Sequence, residues 1–139
     1  ENSIHFKNRF KTLDPEIKTI TDAISHATVA ASFDLNAKAI IALSQSGFTA
    51  RKVSRFRPDC VIIAATLSEK AYNQLAMNWG VVPVLTELQS DYMKMISHSV
   101  QRAKTTGCVK NGDLVVITGG IPVGLTSNTN TMRIEIVGE

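Results

Sequence analysis

The sequence lacks the features that are typical of disulfide-rich, nucleic-acid-binding, membrane and secreted proteins. It has two cysteines in 139 residues, Cys60 and Cys108, too few for a disulfide framework, so we expect both thiols to be reduced. Aromatic residues make up 6% of the chain and do not alternate with basic residues, which argues against a nucleic-acid surface. No apolar run is long enough to span a bilayer, and no stretch has the pattern of a secretory signal. We therefore expect a cytoplasmic protein that binds neither nucleic acid nor a membrane.

Familiar fingerprints of nucleotide, metal and catalytic sites are also missing. Neither Gly-x-Gly-x-x-Gly nor the Walker lysine spacing occurs, so ATP or NAD binding has no direct support. The histidines, His5, His26 and His98, show no ligand spacing, so we predict no metal site. No nucleophile–base order stands out, and we expect the chain to be catalytically inactive alone. Because it begins at Glu1 rather than Met, we also expect a piece of a longer protein.

What is present favours one globular domain. Hydrophobic residues make up 44% of the sequence, enough for a core, and the net charge of +3 suits a small anionic ligand better than nucleic acid. Residues 1–13 are basic and weakly patterned, and we interpret them as a connecting arm. Residues 14–139 form the predicted domain.

Helical and strand-like stretches alternate along this domain. Helices are predicted to begin near Asp14, Thr49, Ser68 and Ser90–Asp91, and strands to cover 38–43, 61–66, 81–85, 114–117 and 132–137. Continuous apolar strands separated by helices predict a three-layer α/β/α sandwich with a mainly parallel sheet. The last strand follows a loop rather than a helix, so it should return antiparallel to the fourth.

The first helix has the clearest start signal. Asp14 and Pro15 are typical of an N-cap and a first helical position. Apolar residues at helical spacing predict the inner face of this helix: Ile17, Ile20, Ile24 and Ala27, with Ala31 one turn later.

A hydroxyl-rich loop between the first strand and its helix is the strongest functional signal. A strand that ends at a helix N-terminus points unpaired N–H groups at one spot, which favours an anion such as phosphate. Ser44, Ser46 and Thr49 can donate hydroxyls, and Gly47 lets the backbone approach closely. The alternative is that these hydroxyls only cap the helix. The basic residues just beyond, Arg51, Lys52, Arg55 and Arg57, are expected on a solvated face that draws anions inward.

A second loop, residues 119–130, follows the fourth strand and is long for a strand connection. Its glycines and proline indicate defined turns rather than a floppy segment. If the strand order reverses between the first and fourth strands, the two loops face each other across a crevice at the carboxyl edge of the sheet. Ligands bind at such crevices in open α/β sheets.

From about residue 14 onward the chain resembles the C-terminal domain of pyruvate kinase. The matching segments, in family order, are Ala31-Ser32-Phe33, residues 39–47, residues 53–58, residues 79–85, residues 112–119 and residues 129–133. The resemblance implies a five-stranded mixed sheet of order 32145 with the fifth strand antiparallel. It also implies a cytosolic homotetrameric enzyme of glycolysis that transfers phosphate from phosphoenolpyruvate to ADP.

In that family the substrate, Mg²⁺ and K⁺ sites lie in a separate catalytic barrel domain, so no cofactor is expected here. The C-terminal domain carries an allosteric effector site and a subunit interface. The resemblance places the effector phosphate in the first loop and the effector sugar under the second, through these residues: Ser44, Gln45, Ser46, Gly47, Phe48, Thr49, Gly119, Gly120, Pro122, Gly124 and Thr126.

Departures from the family pattern narrow the expected ligand. Members that bind fructose 1,6-bisphosphate tightly have Lys at the position of Gln45, and Trp and Arg in the segment matching 86–99, which contains neither here. Phe48 stands where a basic or polar residue is common. A second phosphate would lack cationic partners. We expect a sugar monophosphate or AMP as effector, or alternatively an assembly domain with a vestigial effector site.

Overall fold

The computed structural model describes residues 19–43, 47–78, 80–87, 91–119 and 131–138, without the side chain of Tyr92. The helices are α1 Ile20–Asp34, α2 Phe48–Ser54, α3 Glu69–Leu75 and α4 Tyr92–Thr105. The strands are β1 Ala39–Leu43, β2 Val61–Thr66, β3 Val81–Leu85, β4 Leu114–Gly119 and β5 Thr131–Ile136. The predicted arm, residues 1–13, lies outside the described residues.

The five strands form one mixed sheet in the order β3-β2-β1-β4-β5. β1 pairs in parallel with both β2 and β4, whereas β5 returns antiparallel to β4. Pro83 lies on β3 at an edge of the sheet, where its missing N–H breaks no central ladder. The predicted fold class, strand order and orientation of the last strand are confirmed.

Helices cover both faces of the sheet. One hydrophobic cluster joins α1, α2 and α3 to one face through residues such as Val29, Val53 and Leu75. A second cluster joins α4 to the other face through Ile96 and Ala103. Neighbouring β1 residues therefore both lose contact with water, which explains why the central strands read as continuous apolar runs.

Side-chain caps define where three of the helices begin. Ser68 Oγ accepts from the Ala71 N–H at 3.1 Å, and Asp91 Oδ1 accepts from the Lys94 N–H at 2.8 Å, as the sequence predicts. The predicted start of α1 at Asp14 lies outside the described residues. The described helix begins at Ile20, and Thr19 is its N-cap.

The predicted inner face of α1 is confirmed only in part: Ile24, Ala27 and Ala31 are half-buried and Ala31 packs against the core, whereas Ile17 lies outside the described residues. Ile20 is 71% exposed, and the buried face carries small polar side chains instead: Thr21, Asp22, Ser25, Thr28 and Ser32. Thr28 Oγ1 and Ser32 Oγ donate to carbonyl groups of their own helix, each at 2.7 Å, which removes the cost of burying them. Their small volume allows α1 to pack closely, so size rather than polarity decides this face.

Gly119 ends β4 at a close approach to β1. A Cβ at Gly119 would lie 2.9 Å from Leu43 Cβ and 3.0 Å from the Leu43 carbonyl oxygen. Because a backbone oxygen cannot rotate away as a side chain can, any larger residue must push the two strands apart.

We predict that Gly119→Ala destabilises the protein by about 1–3 kcal/mol, the usual cost of overpacking. Urea unfolding measures the loss, and hydrogen exchange locates it along the ends of β1 and β4. Gly112→Ala is the control for loss of a glycine elsewhere: its Cβ would meet nothing within 4 Å, and although its φ of 94° strains an alanine, the variant should leave amide exchange in β1 and β4 unchanged. Unchanged amide protection of β1 and β4 in Gly119→Ala would contradict this account.

Candidate functional site

The carboxyl ends of β1 and β4 lie side by side at the centre of the sheet. In the register of this parallel pair, Leu43 lies opposite Gly119. The connection from β1 to β2 runs over one face of the sheet, and the connection from β3 to β4 runs over the other. A crevice opens at such a reversal of winding. The predicted reversal is confirmed, and the two candidate loops leave the sheet from adjacent positions.

Four of the predicted site residues are described, namely Gly47, Phe48, Thr49 and Gly119. The others lie outside the described residues: Ser44, Gln45, Ser46, Gly120, Pro122, Gly124 and Thr126. The structure brings the described members to one edge of the sheet, around the ends of β1 and β4. The ligand-binding roles of all of these residues stay predictions.

Gly47 occupies the N-cap position of α2 with a φ of 84°, a left-handed conformation that favours glycine. It has no side chain with which to cap the helix, so none of the predicted hydroxyl residues holds the N-cap position itself. Thr49, in the first turn, is 4% exposed. α2 begins soon after β1 ends, at the carboxyl edge of the sheet.

Two cations lie beside this helix start. Lys52 Nζ is 3.6 Å from Asp22 Oδ1 and 5.5 Å from the centre of the Phe48 ring. Arg51 Nη1 lies 3.0 Å from where a Cβ on Gly47 would stand. Arg51, Arg55 and Arg57 are exposed, as expected of a solvated face. Lys52 is instead half-buried between α1 and α2, where its ammonium contacts a carboxylate and an aromatic face.

Two threonines close the base of the second loop, a feature that sequence reasoning missed. Thr118 Oγ1 donates to the Thr131 carbonyl, and Thr131 Oγ1 donates to the Gly119 carbonyl, both at 2.9 Å. These bonds tie the last residues of β4 to the first residue of β5. Threonines at facing ends of two antiparallel strands are the signal that would have found them.

Further hydrogen bonds hold the next strands at the same edge. Thr86 donates from both its N–H and its hydroxyl to the Thr66 carbonyl, at 2.9 and 3.3 Å. Across from them, α4 reaches the segment after β3: Arg102 Nε donates to the Leu85 carbonyl, and His98 Nε2 accepts from the Glu87 N–H. These hydrogen bonds stabilise the carboxyl edge of the sheet beside the crevice.

Within the described ranges, no group of three His, Cys, Asp or Glu side chains is placed to hold a metal ion. Cys60 and Cys108 are both free thiols, so the prediction of unbridged cysteines is confirmed. Among the described residues, no helix combines the length and apolar character needed to cross a bilayer.

Comparison with known proteins decides the family. The family model described as the pyruvate kinase alpha/beta domain matches residues 22–135. The chain belongs to this pyruvate kinase family. The match runs from α1 into β5 and so includes both candidate loops.

Individual pyruvate kinases agree with the family assignment. The pyruvate kinase of Clostridium acetobutylicum is 43% identical over 122 residues, covering 88% of this chain and 26% of the relative. That of Lactobacillus delbrueckii subsp. bulgaricus is 42% identical over 119 residues, covering 86% of this chain and 20% of the relative. This pyruvate kinase domain therefore spans between a fifth and about a quarter of the length of these relatives.

We predict that Thr118→Val loosens the base of the second loop in this pyruvate kinase domain. The change keeps the side-chain volume but removes a buried hydroxyl donor, which should cost about 1–2 kcal/mol and raise hydrogen exchange in β5. Thr105→Val is the matched control, because Thr105 is exposed and its hydroxyl bonds only within α4. Equal exchange in β5 for both variants would show that Thr118 does not brace the loop.

Proposed function

We propose that the chain is the regulatory domain of a pyruvate kinase and binds a phosphorylated effector in the crevice between β1 and β4. The observation that carries this proposal is the pairing of Leu43 with Gly119, which starts both candidate loops at one point of the sheet. Gly119 has no side chain to fill the space between them. The start of α2 lies at the same edge, with Gly47 as its N-cap.

The chemistry near this point suits one phosphate group. The first N–H groups of α2 and the positive end of its dipole favour an anion. Arg51 and Lys52 add cationic charge beside Gly47 and Phe48. Gln45 is neutral, and residues 86–99 contain no arginine. A sugar monophosphate or AMP therefore fits this charge distribution better than fructose 1,6-bisphosphate.

The reaction of the whole protein is part of the proposal. We expect phosphate transfer from phosphoenolpyruvate to ADP in the cytoplasm, as a step of glycolysis, by a homotetramer whose Mg²⁺, K⁺ and substrate sites lie in a catalytic barrel domain outside this chain. In this arrangement the crevice changes activity from a distance, by binding the effector more tightly in one state of the enzyme than in another.

Calorimetry on the full-length protein tests the effector site. We predict binding of ribose 5-phosphate or AMP, weaker binding of fructose 1,6-bisphosphate, and at least about tenfold weaker binding in Thr49→Val, since a hydroxyl near the phosphate is lost without loss of volume. Thr105→Val serves as the control.

Absence of binding by all three ligands in a folded protein would contradict an effector role. Equal affinity of Thr49→Val and Thr105→Val would contradict the placement of the phosphate near α2. Turnover of phosphoenolpyruvate and ADP by the 139-residue chain alone would refute the assignment of catalysis to another domain.

An assembly role is the second candidate, favoured by the outer strand of the sheet. Among the strands that the structure describes, β5 pairs with β4 alone, so its other edge carries no further strand of this sheet. One face of β5 is apolar and exposed: Met132 by 38%, Ile134 by 45% and Ile136 by 62%. An unpaired edge with exposed isoleucines is suited to pairing with a second copy of the same strand. Assembly and effector binding use different edges of the sheet and are compatible.

We predict that Ile134→Lys shifts the full-length protein toward smaller assemblies in sedimentation velocity, because a buried lysine at a strand–strand contact opposes association. Met77→Lys is the control, since Met77 is 87% exposed on the turn after α3. An unchanged assembly in Ile134→Lys, with the same concentration dependence as the control, would refute a role for this face.

A further inference from the structure

A cavity of about 870 Å³ opens at the amino-terminal edge of the sheet, opposite the crevice between the two loops. Its wall combines the last turn of α2, the connection from α2 to β2, and the turn before β3. This volume lies within the usual range for small-molecule sites. The proposed effector function does not use this cavity.

The wall of the cavity is strongly basic. Arg51, Arg55 and Arg57 line it, and Asp59 is the one acidic residue among its lining residues. In the part of the chain that the structure describes, none of these three guanidinium groups has a carboxylate within 4.0 Å. Guanidinium groups that line a cavity and form no ion pair there can bind phosphate or carboxylate oxygens in a bidentate manner.

The backbone holds one of these arginines in an unfavourable conformation. Arg57 has a φ of 51°, in the left-handed region where glycine is preferred after a helix. Its N–H donates to the Ser54 carbonyl at 3.0 Å, and Pro58 follows directly. This turn thus holds the Arg57 side chain at the cavity, although a glycine would close it with less strain.

The remaining lining residues suit an organic anion rather than a bare ion. Pro58 and Val61, both half-buried, supply an apolar floor, while Ser54 and Asn78 offer neutral hydrogen-bond donors. Burial raises the pKa of the Cys60 thiol, an effect that the Ser32 hydroxyl partly opposes, so the thiol stays uncharged near neutral pH. The floor therefore adds no negative charge of its own.

We propose that this cavity binds a small organic anion, with phosphate or carboxylate oxygens on Arg55 and Arg57 and an apolar ring against Pro58 and Val61. The site lies at the opposite edge of the sheet from the crevice. Arg51 stands between the two sites, because its guanidinium also lies beside Gly47. An anion at one site thus changes the field at the other.

The competing explanation is that the arginines only offset the negative end of the α2 dipole. Lysine serves that purpose as well as arginine does, but it lacks the planar fork that holds two oxygens at once. Conservative replacement therefore separates the two explanations. A dipole role predicts no effect on ligand affinity, whereas a binding site predicts a loss.

Calorimetry on the full-length protein tests the proposal with three probes: inorganic phosphate, phenyl phosphate and benzoate. Phenyl phosphate should bind more tightly than inorganic phosphate, because only it reaches the apolar floor. Comparison with benzoate tells a phosphate site from a carboxylate site. In Arg55→Gln with Arg57→Gln, affinity for the better ring probe should fall at least about tenfold. Arg55→Lys with Arg57→Lys should keep the fold, measured by circular dichroism, and still lose affinity.

Two controls locate the binding. Lys110→Gln removes an exposed charge before β4 and should leave affinity unchanged. Thr49→Val, which acts at the other edge, should also leave it unchanged. The proposal is overturned if neither ring probe binds, if the double arginine variants bind as tightly as Lys110→Gln, or if only Thr49→Val loses binding. Loss of binding in Thr49→Val alone would place the probe in the effector crevice, whose own ligands are tested separately.

Discussion

The parallel pairing of β1 with β4 is the constraint on which the rest of the structure depends. It places Leu43 opposite Gly119, and only a residue without a side chain fits there. The connection that leaves β1 runs over one face of the sheet, and the connection that enters β4 runs over the other. Because the chain changes faces at this pair of strands, a crevice forms between the ends of β1 and β4. Both the crevice and the neighbouring position of β5 follow from this pair.

The crevice and the basic cavity lie near opposite ends of the same helix, α2, and basic residues lie close to both. α2 begins beside the crevice at Gly47 and ends at the basic cavity near Arg55. Lys52 is tied to Asp22 on α1, so α2 is held to its neighbour midway along. Basic groups along this short helix attract anions toward both of its ends. Arg51 lies beside Gly47 and also lines the basic cavity.

The strands were predictable because their burial leaves a direct mark on composition. Two covered faces demand apolar residues at every position, so β1, β2 and β4 read as continuous runs such as Val61–Thr66. The buried face of α1 was not predictable from hydrophobicity. Thr28 and Ser32 satisfy their hydroxyls within the helix and pack as small residues, while Ile20 faces outward. Helical spacing alone gives no information about which neighbour a face meets.

By itself the sequence determined the fold class, the family and the places where the two candidate loops leave the sheet, because these depend on local patterns of apolar runs, caps, turns and motifs. Only the tertiary structure decided which distant residues meet. It joined Thr118 to Thr131, seated Lys52 between Asp22 and Phe48, and gathered the arginines around a cavity at the far edge. Contacts of this kind depend on how separate helices and strands pack together. The spacing of residues within one element does not show which distant residues that element will contact.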